Sequence, residues 1–117
     1  MFFYRTKNGE SPVSDYIDEL LKKSDKDSRI KATKILNYIK LLETHGLALN
    51  SSYLKHLQEE IWELRPLRDR ILFAAWYERS FVLLHYFVKK TQKTPKREIE
   101  KALRLLRDLQ ERGENFE

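Results

Sequence analysis

The hydrophobic period of this chain changes twice, from 3.6 residues to 2 and back to 3.6, and few small architectures accommodate that order. Residues 2–6 read as a short strand, followed by a turn centred on Asn8-Gly9. Ser11-Pro12 opens a helix, with Ser at the cap and Pro at the first helical position. Val13, Tyr16, Ile17, Leu20 and Leu21 then form one stripe. A polar run from Lys22 to Ser28 interrupts it. A second helix is expected from about Asp27 to Thr44, burying Ile35, Leu36, Ile39 and Leu42 and ending at Gly46.

After a loop expected near residues 46–57, the period becomes 2. Segments 61–65, 70–77 and 81–88 are aromatic and branched, and the links Pro66–Asp69 and Glu78–Ser80 are short enough for antiparallel hairpins. The second and third of these segments are apolar on both parities. Helices are therefore expected over one face of the sheet, and a ligand or partner over part of the other. Beyond Pro95 the helical stripe returns as Ile99, Ala102, Leu103, Leu106 and Leu109, and residues 113–117 are expected to fray. The expected fold is α+β in the order β-α-α-β-β-β-α. A small antiparallel meander sheet packs on an N-terminal helical hairpin and a C-terminal helix, as one domain spanning 1–117.

Composition narrows the chemistry. The chain has no cysteine, which removes disulfides, thiolate zinc sites and a cysteine nucleophile. No apolar run approaches the roughly 20 residues of a membrane span, and the first residues lack a secretory pattern, so a cytoplasmic protein without a membrane partner is expected. The net charge of +5 is unevenly spread: residues 65–97 carry +7, leaving −2 for the other 84. Such concentration suits a polyanion or an acidic partner, the plain alternative being a solvated basic face.

Within that stretch, Arg65 ends one strand and Arg70 begins the next, so a hairpin brings both guanidiniums to one sheet end. Alternating strand direction returns the end of segment 81–88 to the same place, so Lys89, Lys90 and Lys93 are expected to converge on the arginines. A cluster of this kind fits a phosphodiester. Arginine binds it with two parallel hydrogen bonds, and the cations stabilise charge that grows in a pentavalent transition state. Taken singly, Arg65 and Arg70 could equally be salt-bridged to Glu63 or Asp69, and Thr94-Pro95 reads as an ordinary helix start with Thr94 as cap. His85 shares strand parity with Leu83 and Phe87, and His56, which precedes the sheet, is a candidate proton carrier, the alternative being a structural histidine. No metal-ligand spacing, glycine-rich phosphate loop or paired carboxylates occur, so no metal and no cofactor is expected.

Several strings together resemble the RelE/ParE toxin superfamily, most closely its HigB branch, the phage-derived Gp49-like proteins. They are Ser11-Pro12-Val13, Trp62-Glu63-Leu64-Arg65, Arg70-Ile71-Leu72-Phe73, and Leu83-Leu84-His85 leading to Phe87-Val88-Lys89-Lys90-Thr91-Gln92-Lys93-Thr94-Pro95. The resemblance implies the toxin of a type II toxin–antitoxin pair, a ribosome-dependent mRNA endonuclease acting without metal through attack of the 2′-hydroxyl on the adjacent phosphate. It implies Arg65, Arg70, Lys89, Lys90 and Lys93 as catalytic residues. Glu63, or a lysine of lowered pKa, is the option for the general base, because the lysines and terminal tyrosine of RelE itself are missing. Arg68, His56, Thr91, Lys96 and Arg97 are the further RNA-binding candidates. The implied partners are a helix-turn-helix, HigA-like antitoxin, in a complex that a heterotetramer would suit, and the ribosome with its A-site mRNA. A ParE-type inhibitor of DNA gyrase and a plain RNA-binding module are the alternatives.

Overall fold

The computed structural model describes residues 1–113, so most of the segment expected to fray lies outside the described residues. The elements are β1 (Phe2–Phe3), α1 (Pro12–Lys22), α2 (Lys26–His45), a 3-10 turn at Gly46–Ala48, β2 (Leu54–Gln58), β3 (Ile61–Leu64), β4 (Asp69–Ala75), β5 (Phe81–Val88) and α3 (Lys96–Arg112). The fold is α+β, with three helices and one five-stranded sheet ordered β1-β5-β4-β3-β2. The last four strands form the expected antiparallel meander, while β1 pairs parallel to β5.

The order is therefore β-α-α-β-β-β-β-α, with one strand more than expected. The added strand is β2, which overlaps the end of the stretch read as a loop. Its sequence LKHLQ buries only Leu54, because an edge strand needs one apolar contact and little alternation. The N-terminal strand shrinks to two residues, since only Phe2 and Phe3 find partners on β5. α3 starts at Lys96 with Pro95 in the cap position, and Thr94 makes no cap.

Helices cover both faces of the sheet, correcting the expectation of one covered face. On one side, Val13, Ile17 and Leu20 of α1 and Ile35, Ile39 and Leu42 of α2 pack against Leu64, Ile71, Phe73 and Leu83. On the other, Ala102, Leu106 and Leu109 of α3 pack against Ile61, Leu72, Ala74, Val82 and Leu84. This double burial is why β4 and β5 are apolar on both parities. Two residues assigned to helix stripes are exposed: Leu21 at 57% and Leu36 at 43%. Each lies beside the buried arc of its helix, which needs only Ile17 and Leu20, or Ile35, Ile39 and Leu42. Gly46 caps α2 at φ 60°, a conformation that suits glycine. Among the described residues, no helix is long and apolar enough to cross a membrane.

An irregularity in the β4–β5 ladder sets which side chains of β5 reach α3. Leu72 faces His85 and Phe73 faces Leu83, so Leu84 is an extra residue on β5. The bulge resets the parity. His85 and Phe87, opposite Leu72 and Arg70, point to the α3 face, whereas Leu83 points to the α1–α2 face. The shared parity of His85 with Leu83 expected from spacing is thereby broken.

This packing makes neighbouring positions of α2 unequal. Ile35→Ala is expected to destabilise the fold by about 2–5 kcal/mol, whereas Leu36→Ala stays within about 0.5 kcal/mol; denaturant melts of both variants check this. A pH dependence comes from Tyr4, whose hydroxyl donates to Asp108 of α3 at 2.6 Å. Burial, then the Asp108 carboxylate, push its phenol from 10.0 up to about 12. Tyr16 is raised in the same way, by burial and by Asp69. Above pH 10.0 the unfolded chain has lost a proton that the fold still holds. Stability is therefore complete below that pH and falls as pH rises toward about 12. Melts across this range should show the fall, and Tyr4→Phe should lessen it, leaving the share that Tyr16 contributes.

Candidate active site

The β3–β4 turn, residues 65–68, joins two strands whose ends both carry arginine. Leu67 adopts φ 56°, an unusual conformation for a non-glycine residue. Arg70 Nη1 holds the turn by donating to the carbonyls of Leu67 and Asp69, each at 2.9 Å. The ladder continues past Val88: the Lys89 amide donates to the Arg68 carbonyl at 2.7 Å, and Arg68 Nη2 donates to the Lys89 carbonyl at 3.0 Å. The end of β5 is thus brought to the β3–β4 turn, as strand alternation demanded.

Beneath this end lies Glu63, only 1% exposed on the α3 face of β3. Its Oε2 is 3.4 Å from Arg65 Nε and 3.8 Å from Arg70 Nε, and its Oε1 accepts a hydrogen bond from the Thr94 hydroxyl. A carboxylate at this depth must be paired, and here three groups share that work. Although Arg70 begins a strand at the sheet end, it is only 7% exposed, because Glu63 draws the guanidinium inward. Burial pulls its pKa below the ordinary value, the Glu63 carboxylate opposes that, and the charge on Arg65 adds to the lowering. Both arginines are salt-bridged, to Glu63. Asp69 faces the opposite side of the sheet, where it accepts from the Tyr16 hydroxyl at 2.7 Å and lies 3.6 Å from Lys31 Nζ.

Over Arg70 opens a cleft of about 440 Å³ lined by Leu67, Arg68, Arg70, Lys89, Lys90, Thr91 and Gln92. Four of its lining residues are cationic and none is acidic. A second cleft of about 410 Å³ is lined by Phe87, Val88, Lys90, Thr91, Pro95, Arg97 and Glu98, so Lys90 and Thr91 border both. Glu98 in its lining meets His85, whose Nε2 lies 2.6 Å from Glu98 Oε1.

A family model for "Phage derived protein Gp49-like (DUF891)" matches residues 18–107, which is 90 of the 117 residues and includes every residue lining both clefts. The chain belongs to the Gp49-like family. That family is toxin-like, of the RelE and HigB type. No curated protein matches the sequence.

In this Gp49-like fold, Arg70, Lys89 and Lys90, of the residues expected to converge, line one cleft, together with Arg68 and Thr91. Arg65 lies beside it, sharing Glu63 with Arg70 and donating through Nη1 to the Ser51 carbonyl at 3.2 Å. Arg97 borders the second cleft. Lys93 and Lys96 are exposed and line neither; Lys96 instead pairs with Glu100 at 3.9 Å. His56 stands apart on edge strand β2. It is paired with Trp62, whose ring packs on the α1–α2 side, and its Nε2 lies 2.7 Å from the Glu59 carbonyl. Sequence reasoning missed two residues. Thr94, read as a helix cap, bonds Glu63 instead, and Glu98, not singled out, meets His85.

Removing the buried carboxylate tests this arrangement. Glu63→Ala leaves the buried Arg70 cation without its partner and is expected to destabilise the fold by roughly 3–5 kcal/mol. Asp69→Ala should leave the pairing of Glu63 with Arg65 and Arg70 intact, because the Asp69 side chain meets Tyr16 and Lys31 instead. Thermal melts of the two variants, with arginine side-chain resonances followed by NMR, distinguish them.

Proposed function

We propose that this Gp49-like protein is the toxin of a type II toxin–antitoxin pair and that it cuts mRNA on the ribosome. The observation that carries the reading is the cleft lined by the cations Arg68, Arg70, Lys89 and Lys90 and free of carboxylates in its lining. Internal attack by a ribose 2′-hydroxyl puts extra negative charge on the phosphorus oxygens. Preorganised cations are what such a transition state needs. Arg70 is the principal phosphate contact: its guanidinium is held by two backbone carbonyls and Glu63, so little reorganisation accompanies binding. In this reading Glu63, with Arg65 on its other side, fixes Arg70 and does not itself meet substrate. Lys89 and Lys90 complete the cationic wall, with Thr91 as a hydrogen-bonding group. Lys93, Lys96 and Arg97 extend the positive surface along the RNA.

A toxin of this class is neutralised by an antitoxin, and the +7 stretch from 65 to 97 suits either an acidic antitoxin segment or ribosomal RNA. The decisive experiment is induction of the protein followed by mapping of mRNA 5′ ends, with gyrase supercoiling measured in parallel. New 5′ ends within translated regions support the reading. Intact transcripts with lost supercoiling would overturn it in favour of gyrase inhibition. Arg70→Lys keeps a cation opposite Glu63, so the variant should fold, yet it lacks the planar fork. Cleavage is expected to fall by roughly 10²-fold with the melting temperature little changed. Lys90→Ala should weaken RNA binding and shallow its salt dependence by about one phosphate contact.

A further inference from the structure

Resting on the RNA-cleaving reading, we propose that Glu98 is the general base that takes the 2′-hydroxyl proton and that His85 is the residue that positions it. The two come from different elements, β5 and the first turn of α3, and meet at 2.6 Å. The meeting depends on the β5 bulge, which turns His85 toward α3. Both side chains are largely buried, yet Glu98 lines the cleft that shares Lys90 and Thr91 with the Arg70 cleft. A phosphodiester lying along Lys90 therefore has Arg70 on one side and Glu98 on the other. Two other carboxylates near this sheet end are committed elsewhere: Glu63 lies under two arginines and Thr94, and Asp69 lies on the opposite face.

With Glu98 ionised, His85 Nε2 carries the hydrogen and donates it to Oε1, fixing the carboxylate in one orientation. Oε2 stands 3.6 Å from Arg97 Nε. In the reaction the 2′-oxygen forms a bond to phosphorus as its proton passes to Glu98. The bond from phosphorus to the 5′-oxygen breaks with its electron pair, and that oxygen takes a proton from the Lys90 ammonium. The products are a 2′,3′-cyclic phosphate and a 5′-hydroxyl. Exchange with water returns the proton from Glu98 to solvent and restores that on Lys90.

The test is single-turnover cleavage of mRNA on programmed ribosomes by the full-length protein, its Glu98→Gln and Glu98→Asp variants, and His85→Gln. RNA affinity and thermal melts are measured alongside. Glu98→Gln is expected to lower cleavage by about 10²–10⁴-fold with RNA affinity unchanged, and to abolish the acidic limb of the pH–rate profile. Glu98→Asp should keep the limb at reduced rate. His85→Gln should lose about 10-fold and shift the limb, as expected for a residue acting through the base. Wild-type rate and an intact acidic limb in Glu98→Gln would overturn the proposal while leaving the ribonuclease reading standing. So would lowered melting temperatures in Glu98→Gln and His85→Gln with an unaltered pH profile, the mark of a purely structural pin. A wild-type protein that leaves mRNA whole would overturn both readings.

Discussion

The Glu63 carboxylate, buried under Arg65, Arg70 and Thr94, is the interaction on which the rest of this molecule turns. An ionised carboxylate away from water is tolerated only when several donors and cations share it. Meeting that demand ties together the end of β3, the start of β4 and the segment leading into α3. It draws Arg70 under the surface, where the guanidinium also locks the tight β3–β4 turn through the Leu67 and Asp69 carbonyls. Because the charge balance is completed from below, the cleft above needs no acidic residue, and its lining is left cationic.

The position of α3 obeys the same logic. The helix is attached by its apolar stripe, which slides easily, and by polar contacts, which do not. Tyr4 of the segment after β1 donates to Asp108 toward its C-terminal end, His85 of β5 meets Glu98 in its first turn, and Thr94 just before it reaches Glu63. Three sites on the sheet side thus fix both ends of one helix. The α1–α2 layer on the other face has its own anchor: Tyr16 donates to Asp69 and stacks on Tyr86 at 4.0 Å between ring centroids. Asp69 and Arg70 are neighbours in sequence but point to opposite faces, so each layer is pinned to the same turn from its own side.

The toxin-like family match and the carboxylate-free cationic cleft fall on the same stretch of chain. The family match covers the cleft-lining residues without saying what each does, and the geometry supplies candidate roles. Positive charge over a phosphate is cheap to build from exposed lysines. A rigid guanidinium is more demanding, because it must be held without being neutralised. Here a buried carboxylate on one edge and backbone carbonyls on another achieve this.

The sequence by itself determined the three helices, the antiparallel run β3–β4–β5 and the meeting of Arg70 with Lys89 and Lys90. Each of these comes from local periodicity, short links and the alternation of strand direction, which are properties of neighbouring residues. It also left open whether Arg65 and Arg70 were salt-bridged or free for a ligand, because the same residue types serve both. Edge strand β2 was not legible, since pairing on one side asks so little of LKHLQ. Only the tertiary structure decided that Glu63 would lie buried between the arginines, that Thr94 would serve it and not α3, and that His85 would reach Glu98. The last depends on one extra residue in β5, which reverses the parity that spacing alone implies. Those pairs join residues 31 and 13 positions apart across different elements, and no local pattern encodes a contact that exists only once the sheet has twisted and α3 has docked.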